Sequence, residues 1–482
     1  MNIQMPCAKR YAFALISAIL SGCSLVPAAD PPEIIQEIRN VGQYQGAETA
    51  TNNTTTEYRY WWLGIGGNEL DQFVSRLMLN SISLKESRLR AQQANHAARV
   101  AFGQRLPSVN LITDISSSRR QDPTGEYATS QNYASALNVD FNTDIFGGLR
   151  SFERAAKLNA IASELSVIAN EQREISNLVK NWISAATLQR RLQLAIKIAD
   201  SYQATYRLTK KRYEAGSNTV SATDVQIALQ NFETAMIDIP SLETDLTQQL
   251  LSIDEQLSYL PGTVQQTFAG NFPMVAEDFI PLGVPATLLR ARPDVAIAEL
   301  NYLAALQDVG AARASLYPSI SLSASLTFQA DTPSVLFDWD RHVASLANSL
   351  LAPIFQGGRL RAQLKFEEAK AEELAHSFGK AALAAITDVE VTLPEIKGLQ
   401  AQLVRLKTAR DTAQLSNELV QGRYNQGLSS ILTVLETQRS YNATQQNILL
   451  TEQAIANAKV DLFYSLGGNW AGQASPSITE LE

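Results

Sequence analysis

The sequence predicts an α+β membrane protein in which a few β-strands of bilayer length run directly into very long helices. Three observations carry that expectation. Residues 133–145 and 320–329 alternate apolar and polar side chains with a period of two. Residues 150–214 contain neither proline nor glycine, and a helix of that length extends on the order of 100 Å, whereas a mean helix has about 11 to 12 residues. The chain also states nearly the same sequence twice, at offsets of 209 to 211. Leu106-Pro107-Ser108-Val109-Asn110-Leu111 returns as Tyr317-Pro318-Ser319-Ile320-Ser321-Leu322, and Arg212-Tyr213-Glu214-Ala215-Gly216 as Arg423-Tyr424-Asn425-Gln426-Gly427. A period that long marks a duplicated half-molecule, not a solenoid unit of about 20 to 50 residues.

The N-terminus sets the compartment. Lys9 and Arg10 precede the apolar run Tyr11 to Leu20, and Leu20-Ser21-Gly22-Cys23 follows. This resembles a bacterial lipoprotein signal, with residues 1–22 removed and Cys23 lipidated, and Ser24 in second place implies export to the outer membrane. Acyl chains on Cys23 would anchor the terminus, each buried methylene contributing roughly 0.8 kcal/mol. Loss of Lys9 and Arg10, with no acid in the same segment, takes the formal charge from −8 to −10. That balance has no basic excess for nucleic acid.

Residues 23–57 are rich in Pro, Ala, Thr and Asn and read as an extended tether. Residues 58–105 open on Tyr58-Arg59-Tyr60-Trp61-Trp62 and become helical, with Leu70, Phe73, Val74 and Leu77 three and four apart. Residues 106–146 form the first hairpin, in which Leu137, Val139 and Phe141 alternate with Asn138, Asp140 and Asn142 around a turn-rich segment from Arg119 to Ser130. Residues 147–260 give the first long helical hairpin, turning at Gly216, and 261–285 the linker between the halves. The second half follows suit: a helical segment at 286–315, a hairpin at 316–356 whose loop runs from Ala330 to Arg341, and a helical hairpin at 357–468. Gly379, Pro394 and Gly398 are expected to kink its descending leg. Residues 469–482 form a loose tail.

Alternation alone equally describes a soluble antiparallel sheet with one wet face. Read as spanning strands, the segments match the roughly 9 to 11 residues that cross a bilayer. No apolar run beyond the signal reaches the ~18 residues of a spanning helix. Four strands cannot close a barrel, which needs about eight, and open edges cannot face lipid. Other copies must complete the ring. A dimer supplies eight strands and a trimer twelve, and the larger ring leaves room for a water-filled lumen lined by Asn138, Asp140 and Asn142.

The lipoprotein signal, Trp61-Trp62, Asp144-Ile145-Phe146-Gly147-Gly148, Val284-Pro285-Ala286-Thr287-Leu288-Leu289-Arg290-Ala291-Arg292-Pro293-Asp294-Val295, Pro353-Ile354-Phe355-Gln356-Gly357-Gly358-Arg359-Leu360-Arg361 and Arg423-Tyr424 through Gln438-Arg439-Ser440 together resemble the TolC-like outer-membrane factors, in their lipoprotein (NodT-type) efflux branch. The resemblance implies a homotrimer with a twelve-stranded outer-membrane barrel, four strands per chain, continuous with a periplasmic α-helical barrel. It implies an exit duct that meets an inner-membrane transporter through a periplasmic adaptor at the helical turns, here Arg212, Tyr213, Gly216, Arg423 and Gly427. By the same resemblance the turns form a gate. Tyr424 and Asp224, within Thr223-Asp224-Val225-Gln226, match the family's linking pair. The family's turn arginine falls on Ser429, and its upper inward acid falls on Thr433, leaving Glu436 as one ring of carboxylates. Leu432 and Leu435 are expected to pack the closed tip.

An enzymatic reading finds no support. His96, His342 and His376 lack metal-ligand spacing, the mature chain retains no thiol pair, and neither a phosphate-cradling loop nor a Gly-x-Ser-x-Gly elbow occurs. No catalytic residue, metal or cofactor is therefore expected. Two other readings stay open: a conduit for a secretion route, and a lipid-anchored coiled-coil scaffold that opens no pore. Five methionines without clusters leave a soft-metal route unsupported and not excluded.

Overall fold

A computed structural model of the 482-residue chain describes residues 25–39, 60–121, 123, 125–270 and 292–467. Cys23, the signal, most of the tether and linker, and the tail 469–482 lie outside them. The chain divides into two compact units. One comprises Met1–Glu33, Leu89–Leu165 and Ile297–Lys380, the other Ile34–Arg88, Ser166–Ala296 and Ala381–Glu482.

In chain order the helices are α1 (Glu33–Arg39), α2 (Leu63–Asn80), α3 (Ile82–Gly103), α4 (Gly148–Glu214), α5 (Ala222–Gln256), α6 (Pro293–Ala314), α7 (Arg359–Asn425) and α8 (Ile431–Ser465). The strands are β1 (Ser108–Gln121), β2 (Tyr127–Thr143), β3 (Ser319–Ala330) and β4 (His342–Leu351). Helices of 67 and 35 residues follow the strands in each half. Among the described residues no helix is long and apolar enough to cross a membrane.

The first unit holds one antiparallel sheet in the order β1-β2-β3-β4. Its register sorts the side chains by face. Val109, Leu111, Leu137, Val139, Phe141, Leu322, Leu326, Leu346 and Leu350 share one face, and Asn110, Asn138, Asp140, Asn142, Ser321, Ser323 and Ser325 share the other. The first loop is shorter than expected, because β1 reaches Gln121 and β2 starts at Tyr127, so most of Arg119 to Ser130 is strand. The second loop differs from its expected bounds only in that Ala330 belongs to β3, and it contains two 3₁₀ turns.

Each hairpin passes into its long helix through a glycine corner. At the first, Gly147 has φ +72°, a left-handed turn that a side chain resists. Asp144 then caps α4, accepting the amides of Leu149 at 2.9 Å and Arg150 at 2.6 Å. Phe146 stacks on Tyr317 at 4.8 Å between centroids.

One expectation needs correction here. The segment after Cys23 is not extended throughout: Glu33–Arg39 is helical, and residues before it dock on α6. Tyr302 donates to the Asp30 carbonyl at 3.0 Å, and Gly310 admits Val26 so closely that a Cβ there would lie 2.6 Å from Val26 Cγ2. The descending leg α7 runs through Gly379, Pro394 and Gly398 as one helix. Leu393 and Ile396 beside the proline are buried against Ala458 and Leu462 of α8 and Leu466 just beyond it, and that burial outweighs one lost backbone bond.

The second unit is built on Trp61, Trp62, Leu70, Phe73, Val74 and Leu77 packed against Leu178, Trp182 and Ile183 of α4, Leu250 and Ile253 of α5, and Val460 and Phe463 of α8. The helical spacing read for Leu70 to Leu77 places all four in this core. Arg292 is buried, donating to both oxygens of Asp294 at 3.0 and 2.7 Å, to Asp388 at 3.0 Å and to the Ser465 carbonyl at 3.2 Å. Burial disfavours its charge, but Asp294 and Asp388 more than compensate, and its pKa is raised.

Candidate functional site

The two helical turns lie in the second unit and use one local code. After α4, Gly216 N–H bonds the Tyr213 carbonyl at 3.0 Å and Ser217 N–H the Arg212 carbonyl at 3.1 Å. After α7, Gly427 N–H bonds Tyr424 at 2.9 Å and Leu428 N–H bonds Arg423 at 2.8 Å. These are paired Schellman closures with glycine at φ +75° and +77°. Serine caps the helix that follows each turn, Ser221 before α5 and Ser430 before α8.

The caps differ at their third residue. Asp224 accepts the Ser221 amide at 2.8 Å while its own amide donates to Ser221 Oγ at 3.2 Å, a complete capping box. Thr433 donates its amide to Ser430 Oγ at 3.3 Å and shares a hydroxyl bond with it at 3.0 Å, but supplies no carboxylate.

The tyrosines differ more. Tyr424 is 4 % exposed, and its hydroxyl shares a 3.0 Å hydrogen bond with Thr209 of α4. Arg212 covers its ring with the guanidinium 4.5 Å from the centroid and donates to the carbonyls of Tyr424 at 2.5 Å and Asn425 at 2.6 Å. The cation thus sits at the negative end of α7. Tyr213 is 46 % exposed, and Arg423 is exposed with no side-chain bond or ion pair among the described residues.

Within one chain Tyr424 and Asp224 are not brought together, each being held by another residue. Leu435 is buried with Ile431, Val434, Ile198 and Tyr202, whereas Leu432 is exposed. Glu436 is exposed and pairs with Arg439 at 3.1 Å, and Arg439 also reaches Asn231 of α5 at 3.4 Å. Ser429 is half-buried. Arg212, Thr209 and Arg439 were not singled out by sequence as tip contacts of this kind. The arginine that repeats before each tyrosine was the available signal for Arg212. In the first unit, Asn138, Asp140 and Asn142 share the polar sheet face with the β3 serines.

A family model described as "Outer membrane efflux protein" matches residues 73–257 and again 284–468. The chain belongs to the outer membrane efflux protein family and is an outer-membrane protein. The pyoverdine export outer membrane protein OpmQ of Pseudomonas aeruginosa is 31% identical over 465 residues, covering 94% of this chain and 96% of the relative. The cation efflux system protein CusC of Escherichia coli is 26% identical over 457 residues, covering 94% and 97%. The solved CmeC outer membrane channel of Campylobacter jejuni has the same fold, with a TM-score of 0.84 at 21% identity, covering 95% of this chain and 98% of that one.

Proposed function

We propose that the chain is the exit duct of a tripartite efflux system. Three copies, each an internal duplication, close a twelve-stranded barrel and a twelve-helix periplasmic tunnel. Cargo handed over by an inner-membrane transporter and a periplasmic adaptor leaves passively. The observation that carries this reading is the sheet with one apolar and one amide- and serine-rich face, whose hairpins each run into a 67-residue helix, in a chain of this family. Asn138, Asp140 and Asn142 line the wet lumen. Lipidated Cys23 adds an anchor in outer-membrane lipid.

The helical turns form the gate and the adaptor contact. Arg212, Tyr213, Gly216, Arg423 and Gly427 belong to the turns that the adaptor meets, and Arg212 and Tyr424 also set how the second turn is held. Asp224, Ser429, Thr433 and Glu436 surround the constriction, and Arg439 beside each Glu436 tempers that carboxylate ring. Relatives export pyoverdine and cations, so cargo choice resides with the pump. Purified full-length lipoprotein in planar bilayers is expected to run as a detergent-resistant trimer and to conduct ions, with an adaptor co-purifying from native membranes. A monomer that opens no conductance overturns the reading.

A further inference from the structure

The internal repeat makes a specific statement about how neighbouring copies meet. Within a chain, α4 of the first hairpin packs on α8 of the second, through Gln438 donating to Thr205 at 2.9 Å and through Ile198 and Tyr202 against Val434 and Leu435. At the end of that interface Arg212 stacks on Tyr424 and caps α7. The repeat maps α4 onto α7 and α5 onto α8. A ring that continues the same step therefore places α7 of one copy on α5 of the next, and brings Arg423, the counterpart of Arg212, onto Tyr213, the counterpart of Tyr424.

The surfaces that this step would join are unpartnered in one chain. Arg423 and Tyr213 are both exposed. Glu214, the counterpart of Asn425, is also exposed and pairs with Lys210 at 3.9 Å. Leu415 and Leu419 of α7, four residues apart on one face, are 58% and 61% exposed, although Leu208, the counterpart of Leu419, packs in the tip cluster. Met236 and Ile237 of α5 are likewise exposed. An apolar stripe, an exposed arginine and an acidic helix end held by one long ion pair therefore occur, among the described residues, where the repeat requires a partner.

We infer that the occupant is a second copy of this chain: Arg423 of each copy stacks on Tyr213 of a neighbouring copy, caps its α4 at the Tyr213 and Glu214 carbonyls, and pairs with its Glu214 carboxylate. This contact rests on the ring assembly proposed above and names its residues. Three such pairs alternate with three internal Arg212 clamps around the ring. Each Arg-Tyr phrase thus acts once within a chain and once between chains.

The test uses full-length protein in outer membranes, treated with a short flexible bis-maleimide and fully denatured before electrophoresis. Arg423→Cys/Glu214→Cys is expected to give covalent dimers and trimers. Arg212→Cys/Asn425→Cys is expected to stay at monomer mass, because its thiols lie in one chain. A photo-reactive benzoylphenylalanine in place of Tyr213, in a chain otherwise unaltered, is expected to label a peptide containing Arg423 of another chain. Purified protein is run in parallel, so that labelling cannot come from an adaptor. A trimer on native gels that yields neither crosslink overturns this contact and leaves the duct reading standing, whereas loss of the trimer in unsubstituted protein overturns both.

Discussion

Arg212 is the strongest single hold on the second turn, and Arg212→Ala measures it. The side chain makes two charge-assisted bonds to the carbonyls of Tyr424 and Asn425 and a cation–π contact with Tyr424. Being half-exposed and sharing one guanidinium, the two bonds are worth about 1 kcal/mol each, below the 1.5 to 3 of buried charged bonds. The ring contact adds about 0.5 to 1 kcal/mol and the helix terminus a few tenths. The total is about 3 kcal/mol of local stability. At 1.4 kcal/mol per tenfold, opening of the turn becomes roughly 100 to 200 times more frequent. The assay is amide hydrogen exchange at Gly427 and Leu428, whose N–H groups close the turn on the carbonyls of Tyr424 and Arg423. Arg212→Lys keeps the charge but loses the fork and the flat stack, and recovers about a third of the protection. Exchange at these two amides unchanged within threefold in Arg212→Ala would refute the reasoning.

Three further outcomes follow from the geometry. Asp224→Ala removes the carboxylate that accepts the Ser221 amide in the capping box of α5 and costs about 1 kcal/mol, read as faster exchange at the Ser221 amide, whereas Thr433→Asp supplies the carboxylate missing from α8 and stabilises its first turn by about 0.5 to 1 kcal/mol. Burial pushes the Glu153 carboxyl up, but Lys157 at 2.6 Å and Arg105 pull harder and leave it below its ordinary 4.5. A depressed carboxylate contributes stability that is complete above the unfolded value and is lost as pH falls through the folded one. Protection near the start of α4, taken relative to intrinsic exchange at each pH, should therefore fall more steeply on acidification below about pH 4.5 in the native chain than in Glu153→Gln. Arg292→Ala strips three partners from a buried guanidinium; because Asp294 and Asp388 are each about half solvent-exposed, the cost is about 2 to 4 kcal/mol, seen as a lower thermal midpoint of the purified protein.

The long helices were legible because their signal is an absence, since no breaker interrupts residues 150–214 and glycine stands at each turn. The strands were legible only where one face is apolar. Ser117-Ser118-Arg119-Arg120-Gln121 is polar on both faces, so the period of two vanishes there although β1 continues. Around Pro394 the helix continues with Leu393 and Ile396 buried, a tertiary contact that no neighbouring residue announces. At the tip, the glycine turns and serine caps are local and could be read, but the choice of which tyrosine is buried is tertiary. Tyr213 and Tyr424 share the Arg-Tyr-x-x-Gly phrase and the same turn, and only α8 packing with α4 beside Tyr424 separates them.

That separation bears on what closes a tip of this kind. A bond between Tyr424 and Asp224 within a chain would replace two that already exist, Tyr424 with Thr209 and Asp224 with Ser221. Exchanging one hydrogen bond for another contributes about 1 kcal/mol or less, and giving up the capping carboxylate costs about as much. The polar link therefore adds little to a tip whose partners are in place. Burial of Ile431, Val434 and Leu435 is different, because each fully buried side chain contributes about 1.5 to 3 kcal/mol, and opening that separated α8 from α4 would lose all three together. In the gate proposed above, closure would then rest on the apolar seam and the Arg212 clamp. Tyr424→Phe, which keeps the ring under Arg212 and removes only the hydroxyl, should leave closed-state leakage within about threefold of the native channel. A leak comparable to that of Arg212→Ala would return the gate to the hydroxyl.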